Sequence, residues 1–349
     1  MIFRTQLVLS ALLLTLPCVG QEATAPKSNS SSQIASADSQ SVLASAQALA
    51  RHARYDEALA QLQDLAAKHP EAKGISHEMG VTYYQKGDYP HASDYLKKAI
   101  AEDPADNEAT QLLGLSYYLS GRPAEAIPLL EKVQTWFPRA NVDASYILGI
   151  CYIQSKDYPH AQKAFAKMFN VTPDSAQSYL FTARMLLRQE YGPVAKEYAQ
   201  KAVAADPKLP LAHFLLGELY LFESQIPESI AEFEKELAIN PAYAAAYYKL
   251  ADAYSRIQKF DESERLLQQS IWLDSTATGP YILMGKVLEK KGETELAIRA
   301  LQRALTMDPN NPMTHHLLGQ AYRDAGRAQE AEQELQTAKR LQGSQAEKQ

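Results

Sequence analysis

A proline that recurs at nearly constant spacing constrains the fold of this chain more than any other sequence feature. The stretches that end in it share one pattern, as in YDEALAQLQDLAAKHP ending at Pro70 and YPHASDYLKKAIAEDP ending at Pro104. The spacing is 34 residues, with one additional residue between Pro138 and Gly149. The series continues at Pro173, Pro207, Pro241 and Pro309, with Ser275 where one more proline is due. Such a period predicts a tandem array of short helical units rather than two or three globular domains.

Two columns of small residues keep the same period. The first small column is Ala46, Gly80, Gly114, Gly149, Ala183, Gly217, Ala251, Gly285 and Gly319. The second small column is Ala58, Ala92, Ala126, Ala161, Ala195, Ser229, Ser263, Ala297 and Ala331. Small side chains at these positions let two helix axes approach closely, and apolar residues three and four positions away make both helices amphipathic. Tyrosine is frequent three residues after the first column, at Tyr83, Tyr117, Tyr152, Tyr220, Tyr254 and Tyr322.

These columns resemble those of the tetratricopeptide repeat (TPR) family over about 39–343. The resemblance implies an all-α TPR solenoid, a right-handed superhelix of about nine helix-turn-helix repeats whose first helices line a concave groove. The predicted units are 39–72, 73–106, 107–141, 142–175, 176–209, 210–243, 244–277, 278–311 and 312–343, followed by a tail at 344–349. Pro128 is expected to kink a second helix or to shift its start.

The residues before the array predict export. Residues 1–20 resemble a secretory signal peptide, because Arg4 precedes an apolar run at 7–16 that is too short to span a bilayer. Cys18 could carry a lipid, but the preceding residues do not match a bacterial lipobox, so the sequence favours a cleaved leader. The Ser, Ala and Gln-rich segment 21–38 is expected to be a disordered tether. The expected location is the periplasm or the exterior of a bacterium.

Composition and motifs argue against several classes of function. The net charge is −6 and no basic block is present, so nucleic acid is not expected as a partner. The sequence has no nucleophile elbow, Gly-rich phosphate loop or metal-ligand run, so we expect no catalytic residue, cofactor or metal site. His315 and His316 are adjacent, but neighbours on a helix point about 100° apart and do not favour a shared metal. Cys151 lies among apolar residues and is expected to be buried.

Helical phase relative to the first small column predicts which side chains face the groove. The middle repeats contribute mostly aromatic and aliphatic side chains, and the later repeats contribute charged ones. The predicted partner-binding residues are Tyr84, Leu115, Tyr118, Tyr146, Ile150, Phe214, Phe222, Arg256, Lys286, Lys290 and Arg323. The same phase applies to Ile153, Leu180, Leu221, Asp252, Glu289 and Asp324. For each Leu or Ile, the alternative is packing between neighbouring repeats.

The resemblance implies binding of a protein or peptide partner and no catalysis. The first hypothesis is therefore a scaffold or adaptor in the cell envelope that binds partner segments in the groove. The alternatives are a holdase-like assembly factor for exported proteins and a non-catalytic subunit of an enzyme complex. The later cations could hold a carboxylate, although the asparagines of the family's carboxylate clamp are missing.

Overall fold

The computed structural model describes residues 30–134 and 144–346. Within these ranges the chain forms eighteen helices and no strand. The predicted signal peptide, Cys18 and the first part of the predicted tether lie outside the described residues. So do residues 138–143, the first half of the stretch 138–149 that holds the extra residue of the repeat.

The helices fall into two compact units, and each is considered by itself. The first unit contains α1 (Ser30–Arg51), α2 (Tyr55–Lys68), α3 (Ile75–Lys86), α4 (Tyr89–Glu102), α5 (Asn107–Leu119), α6 (Pro123–Val133), α7 (Ala144–Gln154) and α8 (Tyr158–Met168). The second unit contains α9 (Ala176–Arg188), α10 (Gly192–Ala205), α11 (Ala212–Phe222), α12 (Ile226–Ile239), α13 (Ala244–Arg256), α14 (Phe260–Leu273), α15 (Thr278–Lys290), α16 (Thr294–Met307), α17 (Pro312–Asp324) and α18 (Ala328–Ala346). Odd-numbered helices are the first helices of their repeats, and even-numbered helices are the second.

The two small columns lie at the contact between the helices of one repeat. A Cβ atom added to Gly80 would lie 2.7 Å from the Leu96 side chain, and one added to Gly285 would lie 2.5 Å from Leu301. The residues of the second column are all buried. In this column, the Ser263 hydroxyl donates to the Ala251 carbonyl at 2.8 Å, so even the polar members are satisfied at the contact. Close approach of the two helices therefore excludes larger side chains, as the sequence predicts.

Each first helix ends in a short turn that contains one left-handed residue. Gly87, Gly121, Gly292 and Gly326 have positive φ at this position, and so do Lys156, Glu190, Ser224 and Gln258. The turn is closed by backbone bonds, such as the Asp88 N–H donating to the Tyr83 carbonyl at 2.9 Å. Pro128 lies inside α6, which begins at Pro123, so the proline does not shift the start of this helix.

The turn before α4 and the turn before α8 are built alike. Asp88 accepts a hydrogen bond from the His91 backbone N–H at 3.3 Å and contacts the His91 ring at 2.8 Å. Asp157 does the same with His160, at 3.3 Å and 2.8 Å. The two imidazoles stack on tyrosines, His91 on Tyr83 at 5.1 Å and His160 on Tyr152 at 5.3 Å between ring centroids. Both histidines are therefore parts of a helix-capping arrangement.

In several repeats the tyrosine that follows the first small column by three residues makes a hydrogen bond to the preceding repeat. The Tyr254 hydroxyl donates to Glu234 at 3.0 Å, and the Tyr322 hydroxyl accepts from Gln302 at 2.8 Å. Tyr152 makes the equivalent bond to Glu131. Tyr117 has Lys97 of the preceding repeat over its ring, 5.5 Å from the centroid.

The outer sides of the first and last helices are polar or small. In α1, the exposed residues Ser41, Ser45 and Ala48 take the positions of Ile75, Met79 and Thr82, which are buried in α3. In α18, the exposed residues Glu332 and Lys339 take the positions that Ile298 and Leu305 occupy in α16 of the preceding repeat. Ile298 and Leu305 pack against α17, the first helix of the next repeat. These helices therefore present polar surfaces to water at the two ends of the repeat series, and repeat proteins require such polar terminal helices for solubility.

Helix α1 begins at Ser30, so the predicted tether 21–38 is helical over 30–38. This stretch contains neither proline nor glycine. A helix that is already anchored at Ala46 and Ala50 extends at one hydrogen bond per added residue, without a new nucleation cost. At the other terminus α18 continues to Ala346, into the predicted tail.

Candidate functional site

The first helices of each unit form a common surface, here called the first-helix face. Within the first unit α3 contacts α5 and α5 contacts α7, and within the second unit α11, α13, α15 and α17 contact one another in succession. Side chains one or five residues after the first small column lie roughly 100–140° around the helix from it, and side chains three before or four after it lie at roughly 40–60°. Together they cover the side of each first helix next to its contact with the second helix. Because the small column recurs in every repeat, side chains at these positions form one continuous surface along each unit.

Three tyrosines lie on the first-helix face of the first unit. Tyr84 and Tyr118 occupy equivalent positions in α3 and α5, and Tyr146 lies on α7; all three are half-buried. The Tyr84 ring lies 5.9 Å from the Tyr89 ring. Burial raises the pKa of Tyr84 to about 12 and also raises the pKa of Tyr118, which lies near Tyr146. The Tyr84 and Tyr118 phenols therefore remain protonated at neutral pH and can donate hydrogen bonds to a bound chain.

Leu115 and Ile150, by contrast, are only 3% and 1% exposed. The prediction that they contact a partner is corrected, because they lie beneath the face rather than on it. Both residues directly follow the small column, and neighbouring first helices contact each other, so side chains at this position in α5 and α7 are covered. Other side chains of the predicted phase are buried as well: Ile153, Leu180 and Leu221.

The first-helix face of the first unit also carries a charged cluster that the sequence analysis missed. The His77 Nδ1 atom lies 2.6 Å from Asp106, and its Nε2 atom lies 3.9 Å from Glu108. Burial lowers the pKa of His77, but its hydrogen bond to Asp106 and the nearby carboxylates outweigh this effect and raise the pKa. The cluster borders a cleft of 290 Å³ that also includes Glu78 and Val81.

The signal for this cluster was its phase. His77 lies three residues before Gly80 in the first small column, and Gln111 lies three residues before Gly114. The Gln111 Oε1 atom is buried without a hydrogen-bond partner among the described residues. His77 therefore has the same position relative to the small column as Tyr146 and Phe214, which also lie three residues before it.

The second unit combines aromatic and cationic side chains on its first-helix face. Phe214 is half-buried and lies 4.9 Å from the Tyr243 ring. Phe222 is 86% exposed. Arg256 donates to the Leu221 carbonyl at 3.4 Å, so its guanidinium lies beside the end of α11 that carries Phe222.

The remaining predicted residues of this face are exposed cations. They are Lys286 and Lys290 on α15 and Arg323 on α17. Glu289, between the two lysines, is hydrogen-bonded to Asp324. Burial, the hydrogen bond and the charge of Asp324 together raise the pKa of Glu289, so this carboxyl holds a proton more firmly than an isolated one.

His315 has a structural role that the sequence analysis missed. Its Nδ1 atom lies 2.5 Å from Glu334 and its Nε2 atom 2.9 Å from the Pro309 carbonyl. His213 makes the same pair of contacts, to Glu232 at 2.5 Å and the Pro207 carbonyl at 3.0 Å. These histidines tie the turn before a first helix to the second helix of the same repeat.

The described residues contain no metal-binding cluster, reactive thiolate or membrane-spanning helix. No group of three or more His, Cys, Asp or Glu side chains in 30–134 and 144–346 could hold a metal ion. The Cys151 side chain is fully buried, and burial raises the pKa of its thiol to about 12, so it is not a reactive thiolate. None of the described helices has both the length and the apolar character needed to cross a bilayer.

Comparisons with known proteins agree with the repeat architecture. Three models described as tetratricopeptide repeat match the chain, one at 117–185, one at 77–141 and 282–346, and one at 246–281. No curated protein matches the sequence.

Several solved structures resemble the chain at low identity. MamA from Desulfovibrio magneticus RS-1 is 19% identical with a TM-score of 0.46, over 49% of this chain and 96% of that one. YrrB, described as a TPR protein with an unusual peptide-binding site, is 20% identical with a TM-score of 0.45, over 52% of this chain and 94% of that one. The Cut9–Hcn1 complex gives 20% identity and a TM-score of 0.44, over 80% of this chain and 55% of that one.

The three models together cover more than half of the sequence, over the same columns that pack the paired helices. The chain therefore belongs to the tetratricopeptide repeat family.

Proposed function

We propose that this chain is an exported, non-catalytic scaffold that binds segments of partner proteins on its first-helix faces. TPR folds generally serve protein–protein interaction. The observation that carries the proposal is the row of Tyr84, Tyr118 and Tyr146. These phenols make no hydrogen bond within the described residues, although each remains partly accessible.

Such a row suits a bound polypeptide. Tyrosine offers a rigid apolar ring and a polar tip at low entropic cost, so it stabilises contacts with extended chains that present both carbonyl groups and apolar side chains. Because the first helices are already held in place by their second helices, binding would avoid most of the ordering cost of a flexible site.

The test is crosslinking of the tagged protein in its own cells, followed by identification of the captured proteins. We expect one dominant partner at matching stoichiometry, and we expect Tyr84→Ala combined with Tyr118→Ala to reduce its capture about tenfold or more. Trp272→Ala is the matched control, because Trp272 is 77% exposed on the second helix α14 and lies off the first-helix face. Circular dichroism melts confirm that both variants remain folded.

Two results would contradict this function. Capture that is unchanged in the double tyrosine variant would place the binding surface elsewhere. Capture of a broad set of unrelated exported proteins would replace the scaffold with the holdase-like alternative.

The location in the cell envelope rests on the sequence of residues 1–20. Cell fractionation and amino-terminal sequencing of the mature protein test it, and we expect a periplasmic or secreted chain that begins near Gln21. A cytoplasmic chain that retains Met1 would overturn the export proposal and leave the scaffold proposal intact.

A further inference from the structure

The first helices of the second unit carry an excess of positive charge, although the chain as a whole has a net charge of −6. Their basic residues are Arg184, Arg188, Lys249, Arg256, Lys286, Lys290 and Arg323. Their acidic residues are Glu218, Asp252, Glu289 and Asp324. An acidic protein that concentrates cations on one set of helices creates a local field that attracts anions.

The carboxylates of these helices are already engaged. Glu218 pairs with Lys249 at 2.8 Å, and Asp252 pairs with Arg256 at 2.9 Å. The remaining two, Glu289 and Asp324, are hydrogen-bonded to each other. Lys249 and Arg256 are therefore paired within this set, and the set has no further carboxylate to pair with the other basic residues.

Five of the cations have no carboxylate within ion-pair distance in the described part of the chain: Arg184, Arg188, Lys286, Lys290 and Arg323. All five are exposed. An exposed cation needs no partner to be stable, but several on one face give a partner's carboxylates a favourable field and a fast approach.

The distribution of these cations indicates the form of the anion. They lie on three different first helices, and on α9 and α15 they come in pairs four residues apart, which share one side of a helix. Neighbouring packed helices are about 8–10 Å apart. A single phosphate or one terminal carboxylate cannot reach cations spread in this way, whereas a polypeptide with several acidic side chains can.

Phe222 adds an apolar contact to this basic face. Its ring is 86% exposed at the end of α11, and Arg256 lies beside it through the bond to the Leu221 carbonyl. An aromatic ring with cations on the neighbouring helices would accept an apolar side chain flanked by acidic ones. This differs from the first unit, where the equivalent face carries tyrosines.

We propose that the first-helix face of the second unit binds an acidic segment of a partner protein, in which side-chain carboxylates pair with the free cations and an apolar side chain packs on Phe222. This inference rests on the proposed scaffold function and specifies one class of partner for it.

The experiment uses the purified full-length chain and a fluorescent peptide of alternating glutamate and leucine, acetylated and amidated so that no terminal carboxylate is present. The control peptide has glutamine in place of glutamate. We expect the acidic peptide to bind, the glutamine peptide to bind at least about tenfold more weakly, and the affinity to fall as salt is added.

Two matched variants locate the site. Lys286→Gln combined with Lys290→Gln should lower the affinity for the acidic peptide about tenfold. Arg299→Gln with Arg303→Gln removes the same charge from the exposed side of α16, a second helix of the same unit, and should change the affinity less than about twofold. Phe222→Ala should lower the affinity for the acidic peptide without changing how this affinity depends on salt concentration.

Several results would overturn the inference. Equal weakening by the two double variants would indicate non-specific attraction, and equal binding of the glutamine peptide would indicate an apolar site. Tighter binding of a single-stranded oligonucleotide than of the acidic peptide would point to nucleic acid, and self-association lost in the lysine variant would point to a second copy. If no peptide binds while the tyrosine-dependent partner is still captured, this inference fails and the scaffold function stands.

Discussion

The tyrosines of the first helices show how a single hydroxyl connects two repeats. Tyr220, Tyr254 and Tyr322 each bond to a residue twenty positions earlier, and that residue is Gln200, Glu234 or Gln302. The ring packs between helices and the hydroxyl reaches the exposed edge of the preceding second helix, where a Gln or Glu side chain meets it. Tyrosine suits this position because it combines a large apolar ring with a polar end.

Glu289 is a carboxyl on the first-helix face of the second unit whose surroundings change its affinity for a proton. Its pKa is raised, so the folded chain binds a proton here more tightly than the unfolded chain does. The resulting stabilisation is present below the unfolded pKa and is lost as the pH rises through the folded pKa.

We therefore expect Glu289→Gln to stabilise the protein at about pH 8, by a few tenths of a kcal/mol because the site is partly solvated. At about pH 3, below the usual glutamate pKa of about 4.3, the carboxyl is protonated in both the folded and the unfolded chain, and the gain should vanish. Urea denaturation at the two pH values measures this difference. A gain of the same size at both would show that the effect does not come from the carboxyl proton.

At the scale of helices and turns, the left-handed residue after each first helix is a position of backbone strain wherever it is not glycine. Gln258 has φ 61° and Gly292 has φ 79° at equivalent positions of consecutive repeats. A left-handed conformation costs a side-chain-bearing residue roughly 1–2 kcal/mol, whereas glycine adopts it readily.

Gln258→Gly should accordingly raise the free energy of unfolding by about 0.5–1 kcal/mol, since the relief of strain is partly offset by the greater chain entropy of unfolded glycine. Gly292→Ala is the reciprocal change and should lower it by about 1 kcal/mol. Thermal and urea denaturation measure both. Loss of stability in Gln258→Gly would mean that the glutamine side chain contributes more than the backbone strain costs.

The elements show how far the sequence could predict this structure. The small columns and the recurring proline predicted two helices in each repeat, since these residues are imposed by close helix contact and by helix termination. Helical phase predicted the direction of Tyr84, Phe222 and Lys286, but it could not predict that Leu115 and Ile150 are covered. Burial depends on the neighbouring first helix and on side-chain length, and neither is a property of one helix. The contacts of His213 with Glu232 and with the Pro207 carbonyl were missed for the same reason, because these partners come from two other segments of the chain.

At the scale of the whole molecule, the polar outer sides of α1 and α18 disfavour end-to-end stacking of a second chain on the repeat array. An internal second helix presents Ile298 and Leu305 to the next repeat, whereas α18 presents Glu332 and Lys339 to water. A charged side chain in a helix–helix contact would lose its hydration without gaining a partner, so the polar terminal helix disfavours stacking of a second chain.

Glu332→Ile combined with Lys339→Leu should therefore convert the carboxyl-terminal end into an adhesive surface. We expect concentration-dependent self-association, which sedimentation velocity measures against the wild-type chain. Gln333→Ile with Arg340→Leu adds similar apolar side chains at other exposed positions of α18 and is the control. Equal association of the two variants would mean that general stickiness, and not restoration of a repeat contact, causes the effect.

The matching turns at Asp88–His91 and Asp157–His160 indicate how the repeat array arose. The same cap, the same imidazole contact and the same stacked tyrosine occur two repeats apart within one unit. Such detailed identity among otherwise diverged repeats is the mark of a copied segment of the gene. Because each added repeat joins its neighbours through the same helix contacts and leaves the two terminal helices untouched, duplication or loss of repeats can lengthen or shorten the partner-binding surface without a new fold having to evolve.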